Sequence, residues 1–600
     1  MTATETMMPP SAVRPVTWRS DAVLGLAGAL LALCLQAAAG FPTLIAGHDD
    51  NDSLLRLVEV RDLMAGQGWF DLHQYRMGPP GGFVMHWSRL VDAPIAALIL
   101  AGTAITGNAG AGETFALLVW PTLLMAAALT FIARIARAIA GSCALLPALT
   151  IGGTALHFGG NFAPGDIDHH NVQLTLTLAA MAALITGRGY VSGIAAGIAC
   201  ALMLAVGMET LPYVAVTGLT VSGVFLLGGR AEAIKATGFG LGFAAVAATA
   251  FIVTVPAGQW LAARCDAYSI PQFSVALISG LGLAAAAIAL PHDRGMARPG
   301  ALLALAGLIA VLVVTVFPQC LAGPYAGLDP RLQQYWLSEV SEAQPFWSVI
   351  ASDWVKGVRY YVTPLLGLIV LGARLRRHNT QEQWILAVFL AAACAVSLWQ
   401  VRGATFALPI AAIALAAWVG DWRQRAALTS DRSAMLRLAL AWLISLDIVW
   451  GAVANAASVA VTRTEPAPAA SAQGTCNRPA DYAALAARSP ATVLAISNLG
   501  APILAFTRHH VFAGPYHRNI TGNLFALDAF MGTPEQARAM IRDNRIGIIA
   551  ICRGNGETAL LAGWAPTGFL ATFVNGHEPD WLERLPQAAG QPLDIYRVRP

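Results

Sequence analysis

Charged residues are scarce in this chain, and their scarcity excludes a soluble globular protein. Only 12% of the 600 residues are Asp, Glu, Lys or Arg, whereas 56% are hydrophobic and the mean hydropathy is +0.59. A soluble domain carries roughly 25% charged residues. The net charge of +3 is too small to indicate nucleic-acid binding, and the basic residues are not pooled in one region. The composition therefore predicts a protein that crosses a membrane many times.

The chain also lacks a Cys-x-x-Cys pair or any Cys and His spacing typical of a structural zinc site. Of its eight cysteines, Cys476 and Cys552 fall in the C-terminal region, where a disulfide persists if that region lies outside the cytoplasm. Sharing a region does not fix the distance between two thiols, so this pairing stays open. Four others lie in or beside apolar stretches and are interpreted as apolar filler: Cys34, Cys143, Cys200 and Cys394.

Apolar stretches of membrane-spanning length recur from about residue 22 to about residue 460, and we count about thirteen. Basic residues stand beside alternate ends of these stretches, and the positive-inside rule places those ends in the cytoplasm. The N-terminus is then cytoplasmic, the first stretch is a retained span rather than a signal peptide, and an odd number of spans puts the C-terminus outside. The basic residues are Arg14, Arg19, Arg134, Arg137, Arg188, Arg230, Lys235, Arg294, Arg298, Arg374, Arg376, Arg377, Arg423 and Arg425.

This arrangement predicts a polytopic α-helical membrane protein of two domains. Residues 1–460 form the transmembrane domain, with polar outer loops at about residues 47–113 and 319–358. A linker rich in Ala, Pro and Ser follows, and residues 475–600 are interpreted as a small α/β domain outside the cytoplasm. The elements predicted in that domain are strands at 492–497 and 546–552 and a helix at 534–543.

Two acidic clusters emerge on the predicted outer side. The segment His48–Asp52 follows the first span, and Asp166–His170 forms a short turn before a later one. Ionisable groups at membrane depth are costly and usually functional, and closely spaced carboxylates and imidazoles can hold a divalent cation. Two such clusters can converge on one cation, which offsets their mutual repulsion. The alternative for the first cluster is a solvated acidic loop that caps the next helix.

Three segments resemble motifs of oligosaccharyltransferase catalytic subunits. Residues 50–56, Asp-Asn-Asp-Ser-Leu-Leu-Arg, look like the opening motif of that family, in which an aspartate precedes an arginine by six positions. Residues 165–170, Gly-Asp-Ile-Asp-His-His, are similar to the archaeal form of its second motif. Residues 340–345, Val-Ser-Glu-Ala-Gln-Pro, are similar to its Ser-Val-Ser-Glu motif with a trailing Gln-Pro. The three motifs occur in the family's order and on one side of the membrane.

The resemblance implies a GT-C fold and a polyprenyl-phosphate or polyprenyl-diphosphate sugar as the donor. By motif matching, Asp50, Asp168 and His170 would bind a divalent metal, Mg or Mn, and Arg402 would pair with the lipid phosphate. Glu342, with Asp50, would be catalytic on the acceptor side. The chemistry agrees with these roles. A cation or an arginine stabilises the charge on a departing phosphate, and a carboxylate helps to deprotonate the acceptor.

Some of these roles have competitors in the sequence. Asp52 competes with Asp50, and Glu339 competes with Glu342. Arg402 has the alternative of only marking a membrane boundary, although its place on the outer side opposes the positive-inside trend. Two neighbours of Asp168 are interpreted as supporting groups around the metal: Asp166 and His169.

The chain departs from the family in its C-terminal region. The Trp-Trp-Asp motif with which oligosaccharyltransferases recognise the acceptor sequon is absent, and residues 498–502 read Asn-Leu-Gly-Ala-Pro instead. Recognition of Asn-x-Ser/Thr is therefore open. A nearby polar cluster is a candidate for binding the acceptor or the donor glycan, with a loop that caps a strand as the alternative: His509, His510, Tyr516, His517 and Arg518.

The sequence thus predicts a metal-dependent glycosyltransferase of the inner membrane. It would move a sugar or oligosaccharide from a polyprenyl-linked donor to a protein or glycan acceptor outside the cytoplasm. Within the class, modification of lipid A or surface polysaccharide is the alternative. A transporter or flippase is the alternative from another class, but it would be expected to show two related halves with broken helices, and no convincing repeat is present. Glu209 is the residue closest to that expectation.

Overall fold

The structure is a computed structural model. It describes residues 18–45, 50–292, 295–323, 325–429, 431–462, 474–586 and 590–599. Four residues used in the sequence analysis lie outside these ranges: Arg14, His48, Asp49 and Arg294.

Helices make up most of the described chain. A two-stranded hairpin, β1 (His73–Gln74) and β2 (Phe83–Val84), lies between the third and fourth helices. The first twelve helices are α1 (Trp18–Ala38), α2 (Pro42–Ile45), α3 (Asn51–Met64), α4 (Arg89–Thr106), α5 (Ala109–Ala140), α6 (Leu145–Phe158), α7 (His170–Thr186), α8 (Gly189–Val206), α9 (Leu211–Leu227), α10 (Arg230–Thr254), α11 (Ile270–Ala289) and α12 (Ala297–Val316).

Two short helices follow in a polar segment, and five longer ones complete the bundle. They are α13 (Pro330–Tyr335), α14 (Phe346–Ser352), α15 (Trp354–Leu375), α16 (Gln381–Trp399), α17 (Ala404–Thr429), α18 (Arg432–Ser445) and α19 (Asp447–Thr462).

Eleven helices in the described ranges are long and apolar enough to cross a membrane, or up to twelve if the bent pair α18 and α19 is one span. The start of α1 lies beside the end of α5, because Asp21 pairs with Arg134 at 3.4 Å and with Arg137 at 2.5 Å. Helix α5 therefore begins at the face where α1 ends, which we call the site face. Helix α4 begins beside α3, where Arg89 donates to the Glu59 carbonyl at 3.3 Å, and ends just before α5 begins, so both of its ends lie at that face and we do not count it as a crossing.

Two shorter apolar helices complete the path of the chain. Helices α6 and α7 have 14 and 17 residues, and they carry the chain to the site face and back. The loop between them is tied to the end of α1, since the Thr43 hydroxyl donates to the Pro164 carbonyl at 2.7 Å. With α6, α7 and the bent pair counted and α4 left out, the chain crosses about thirteen times. This number agrees with the sequence analysis.

Close helix packing depends on glycine where α8 meets α10. A Cβ atom on Gly193 would lie 2.0 Å from the Lys235 carbonyl oxygen, and one on Gly238 would lie 2.2 Å from that of Tyr190. Small residues let helix backbones approach in a bilayer, where apolar side chains gain nothing by leaving lipid. Helix α17 is the most enclosed span, since its residues 406–417 are all buried.

The C-terminal residues form a compact α/β unit at the site face. Its elements are α20 (Ala483–Ala486), β3 (Thr492–Leu494), α21 (Gly500–Phe506), β4 (His510–Val511), α22 (Ile520–Met531), α23 (Pro534–Asp543), β5 (Ile548–Cys552), α24 (Gly556–Trp564), α25 (Phe569–Val574), β6 (Leu582–Arg584) and β7 (Leu593–Val598). The sheet has the order β4–β3–β5–β7–β6, with β3 parallel to β4 and β5 and with β7 antiparallel to its two neighbours. The predicted strands and helix are present as β3, β5 and α23.

Two disulfides lie at the site face. Cys476 pairs with Cys552, which decides the question that the sequence left open. Cys265 pairs with Cys320 across 55 positions, a bond that the sequence analysis did not anticipate. The four free cysteines are the four interpreted as apolar filler: Cys34, Cys143, Cys200 and Cys394.

Replacement of Asp21 by alanine tests the contact between α1 and α5. Asp21 is 1% exposed and faces two arginines, so Asp21→Ala leaves buried positive charge without its partner. We expect a loss of about 3–5 kcal/mol in unfolding free energy. Thermal unfolding in detergent measures it, with the exposed Asp543→Ala as the control. Equal melting temperatures for the two variants would contradict this account of the bundle.

Candidate active site

The site begins at the first turn of α3. The Asp50 carboxylate caps this helix, because it accepts the backbone N–H of Asp52 at 2.9 Å and that of Ser53 at 3.2 Å. A capping aspartate satisfies donors that have no partner inside the helix. Asp50 and Asp52 also line a cavity at the site face. Asp50 thus caps the helix, as the alternative in the sequence analysis had it, and also lines the cavity.

Ser53 joins the two acidic clusters. Its hydroxyl donates to the Asp50 carboxylate at 2.6 Å and accepts the backbone N–H groups of Ile167 at 3.1 Å and Asp168 at 3.2 Å. One buried hydroxyl therefore fixes the start of α3 against the turn before α7. The sequence analysis missed this residue, although it lies inside the first motif.

Asp168 lies at the centre of a buried charge network. Its two carboxylate oxygens contact the Nδ1 atoms of His169 and His170, and the Arg56 guanidinium lies 3.9 Å away. Burial raises the pKa of Asp168, but the charges of the two histidines more than offset burial and hold this pKa well below its usual value. Asp168 is therefore an anion at neutral pH.

The same three residues form a candidate metal site. One ligand atom from each of Asp168, His169 and His170 lies within 4.8 Å of the others. The Nε2 atom of His170 is buried and has no hydrogen-bond partner among the described residues, and His170 faces the cavity that Asp50 lines. An imidazole nitrogen with this environment fits a metal ligand whose other nitrogen is held by a carboxylate.

Arg56, on α3, adds positive charge to this network. It is fully buried, its Nη1 donates to Asp92 at 2.8 Å, and its guanidinium lies 4.3 Å from the centre of the Trp87 ring. Arg89 holds the other oxygen of Asp92 at 3.0 Å. The first motif pointed to Arg56, whereas nothing in the sequence pattern identified Asp92 as its partner.

The third motif reaches the site from the segment before α15. Glu342 forms an ion pair of 3.2 Å with Arg402, and the backbone N–H of Val401 donates to the Gln344 carbonyl at 2.9 Å. The Glu342 side chain is half-exposed, whereas that of Arg402 is only 16% exposed. The structure thus pairs two residues to which the sequence analysis gave separate roles, and it favours Glu342 over Glu339 for the position facing Arg402.

Two adjoining cavities meet at these residues. The membrane-side cavity has a volume of about 300 Å³, and its outer wall includes Lys356, Tyr360 and Thr405 at the ends of α15 and α17. The C-terminal cavity has a volume of about 530 Å³ and extends under the α/β unit. Six residues line both cavities: Asp50, Asp52, His170, Ser341, Glu342 and Arg402.

Acidic groups dominate the boundary between the two cavities. Burial raises the pKa of Asp52 well above its usual value, and the charges of Asp168 and Asp50 raise it further. Asp166 lines the membrane-side cavity and accepts the Ala163 N–H at 2.5 Å. So many carboxylates in one place favour the binding of a cation.

The predicted cluster in the C-terminal region is divided by the structure. Tyr516 and His517 line the C-terminal cavity, as a substrate-binding role requires. The other three predicted residues do not. His509 is buried with both ring nitrogens bonded to backbone groups, His510 is exposed on β4, and Arg518 turns away to bind Asp266.

Glu209 is a site residue that the sequence analysis placed in another context. It follows α8, accepts a hydrogen bond from the Gln173 amide at 2.9 Å, and lies 3.7 Å from Nε2 of His169. It also lines the C-terminal cavity. His169 is therefore flanked by carboxylates at both ring nitrogens, which makes it a central member of the network rather than a peripheral one.

Together these features define a class of membrane protein: a bundle of about thirteen spans whose polar loops and C-terminal α/β unit enclose an acidic site at one face. No protein-family model and no curated protein matches the chain. Solved structures do share its fold, and all those named here are oligosaccharyltransferases of Archaeoglobus fulgidus. The apo form has a TM-score of 0.66 and 15% identity, with 92% of this chain and 72% of that chain covered.

Two further structures extend this comparison. AglB in complex with an inhibitory peptide and a dolichol-phosphate has a TM-score of 0.63 and 14% identity over 92% of this chain and 71% of that one. A complex with Zn and sulfate has a TM-score of 0.61 and 15% identity over 90% and 69%. The predicted fold class and the predicted resemblance to oligosaccharyltransferases are confirmed at the level of the fold.

Replacement of Ser53 by alanine tests the link between the two clusters. The variant leaves two buried N–H groups without their partner and removes one of the donors to the Asp50 carboxylate, which keeps the backbone N–H of residue 53. We expect a loss of about 1–3 kcal/mol in unfolding free energy for each N–H group that finds no new partner. Thermal unfolding with chelator present measures it, and the exposed Ser433→Ala is the control. A melting temperature equal to that of the control would show that the link has no energetic role.

A second prediction concerns pH and Glu59, which is buried on α3. Burial and then the charge of Asp92 raise the pKa of Glu59 from 4.5 to about 8. The Glu59 carboxyl group therefore loses its proton at a lower pH in the unfolded chain than in the folded protein. The free energy of unfolding falls as the pH rises from 4.5 to about 8. Glu59→Gln removes that fall in stability. The difference between the melting temperatures of Glu59→Gln and wild type should increase between pH 5 and about pH 8 and stay constant above that. The same difference for the exposed Glu535→Gln should not change over this range.

Proposed function

We propose that the protein is a metal-dependent glycosyltransferase that uses a polyprenyl-linked sugar donor. The observation that carries this proposal is the convergence of the three motif segments on the boundary between two cavities. One cavity opens beside the spans and the other under the α/β unit. A transferase needs this arrangement, because donor and acceptor must approach one reacting carbon from different directions.

Asp168 and His170 are the residues that would hold a divalent ion, with Asp50 from the start of α3. The donor set fits, because Asp168 and His170 belong to the group of closely spaced ligand atoms, Asp50 lines the same cavity, and the Nε2 atom of His170 has no hydrogen-bond partner among the described residues. Carboxylate ligands suit Mg or Mn, and imidazole also suits Zn, which is present in the Archaeoglobus fulgidus complex with Zn and sulfate. When bound, such an ion supplies electrostatic stabilisation of a departing phosphate.

The membrane-side cavity is the proposed donor site. Arg402 and Lys356 supply positive charge there, and the cavity opens beside α15 and α17, where a lipid chain can remain in the bilayer. An arginine held by one ion pair retains further N–H donors for a phosphate oxygen. One structure that shares the fold is a complex with a dolichol-phosphate, which supports a donor of this class.

The C-terminal cavity is the proposed acceptor site. Glu342 faces it from one side, and Tyr516 and His517 face it from the α/β unit. In this reading Glu342 or Asp50 accepts a proton from the attacking group of the acceptor. A solved structure that shares the fold, the Archaeoglobus fulgidus oligosaccharyltransferase tethered to an acceptor peptide, supports a protein as the acceptor. Ser497 and Asn498 line this cavity in the region where the Trp-Trp-Asp motif of the family is missing, so acceptor selection would depend on different contacts.

The proposed location is the inner membrane, with the site face outside the cytoplasm. Both disulfides lie at the site face, and disulfides persist in oxidising compartments. Arginines concentrate at the opposite helix ends, for example Arg137 on α5, Arg188 before α8 and Arg374 on α15. The disulfides and the arginines support the same orientation, with the site face outside the cytoplasm. Residues 1–460 and 475–600 are the proposed domains, with the segments at about 47–113 and 319–358 in the catalytic unit.

Transfer of labelled sugar by the purified protein tests this function. With a polyprenyl-linked donor, Asp168→Asn and Glu342→Gln should each reduce the rate by about 10²-fold or more, because each loses a charge at the reacting centre. Chelation should abolish transfer, and added Mn²⁺ should restore it. The matched controls are Asp543→Asn and Glu535→Gln, which are exposed on α23. Full activity in the first pair of variants would refute the assignment of these residues.

A further inference from the structure

One carboxylate of the bundle holds a loop of the α/β unit. Asp266, between α10 and α11, accepts two hydrogen bonds from Arg518, at 2.7 and 2.9 Å, and pairs with Nε2 of His517 at 2.8 Å. Arg518 also donates to the Met85 carbonyl at 3.1 Å. Arg518 thus joins the loop 515–518 to two separate polar segments of the bundle, and Asp266 is the charged partner in one of them.

A disulfide fixes the position of that carboxylate. Cys265 precedes Asp266 and is bonded to Cys320, in the 3-10 turn Pro318–Ala322 after α12. The same turn leads to Tyr325, whose ring centre lies 5.4 Å from that of His517. The disulfide therefore anchors both segments that flank His517.

This loop is part of the C-terminal cavity. His517 and Tyr325 line it, and the His517 ring lies 4.6 Å from that of His86, another lining residue. Tyr516, next in the chain, donates its hydroxyl to the Asn51 carbonyl at 3.0 Å. Displacement of the loop would therefore move a wall of this cavity.

The Asp266 contact is charge-assisted and largely shielded. Burial raises the pKa of Asp266, but hydrogen bonds to His517 and Arg518 hold this pKa well below its usual value. The side chains of Asp266, His517 and Arg518 are between 13% and 17% exposed. Bidentate arginine–carboxylate pairs of this kind fix geometry as well as supply energy.

We propose that Asp266 is a positioning residue for the acceptor cavity and that the Cys265–Cys320 disulfide is required to hold it there. The role of this cavity in acceptor binding rests on the proposed function. Formation of this bond removes two electrons and two protons from the two thiols, and a protein disulfide of the thiol–disulfide oxidoreductase class takes them up by exchange. The cavity therefore takes its binding shape only after the chain has been oxidised.

The first test is hydrogen exchange of the full chain in detergent, which does not depend on transferase activity. In Cys265→Ser/Cys320→Ser and in Asp266→Asn, which keeps the disulfide, amides of residues 514–523 should exchange at least tenfold faster than in wild type. Asp266→Glu should recover part of the protection. Asp71→Asn is the matched control, because Asp71 also pairs with a histidine, His73, on the same face. Wild-type exchange at 514–523 in either Asp266→Asn or the cysteine variant would overturn the proposal.

The second test separates this disulfide from the other by kinetics. In wild type and in Cys476→Ser/Cys552→Ser, dithiothreitol should raise the acceptor KM at least tenfold while kcat and the donor KM change less than twofold. Cys265→Ser/Cys320→Ser should show the raised KM without reductant and no further change with it. If dithiothreitol leaves the acceptor KM of the wild-type protein unchanged, the proposal is overturned. Absence of transfer in wild type would instead refute the proposed function. The hydrogen-exchange result would then decide whether Asp266 and the disulfide hold the loop.

Discussion

The buried contact of Asp168 with His169, His170 and Arg56 is the constraint on which the rest of the site depends. A carboxylate at the edge of a bilayer is stable only if positive or polar groups replace the water it loses. Here the turn itself supplies two histidines and α3 supplies Arg56, and Ser53 holds the turn against α3. Because these partners come from separate segments, the charge requirement brings the segments together.

This arrangement also determines where the two cavities meet. Asp50 and His170 line both of them, and the pair Glu342–Arg402 lies at the same boundary. The boundary therefore carries a half-exposed carboxylate and a largely buried guanidinium side by side. For the proposed reaction this combination is useful, since a group that accepts a proton and a group that stabilises the charge on the phosphate would both be near one carbon.

Sequence patterns predicted the fold well because membrane spans and strands leave long, periodic signals. The span number, β3, β5 and α23 were all predicted. Side-chain partners that are distant in the sequence were not. Asp266 and Cys320 have no local pattern that marks them, since their partners lie 251 and 55 positions away. His509 shows the opposite failure: its place in a polar cluster suggested a substrate-binding residue, but both of its ring nitrogens bond to the backbone of the α/β unit.

Pulsed electron paramagnetic resonance of the Mn²⁺-loaded protein tests the central claim most directly, which is that the Asp168 turn binds a cation that in turn meets the donor phosphate. The account predicts one tightly bound Mn²⁺ with nitrogen hyperfine coupling that disappears in His170→Ala. It also predicts phosphorus coupling that appears only when a polyprenyl-linked sugar is added. Mn²⁺ that shows no nitrogen coupling, or no phosphorus coupling with donor present, would contradict the account.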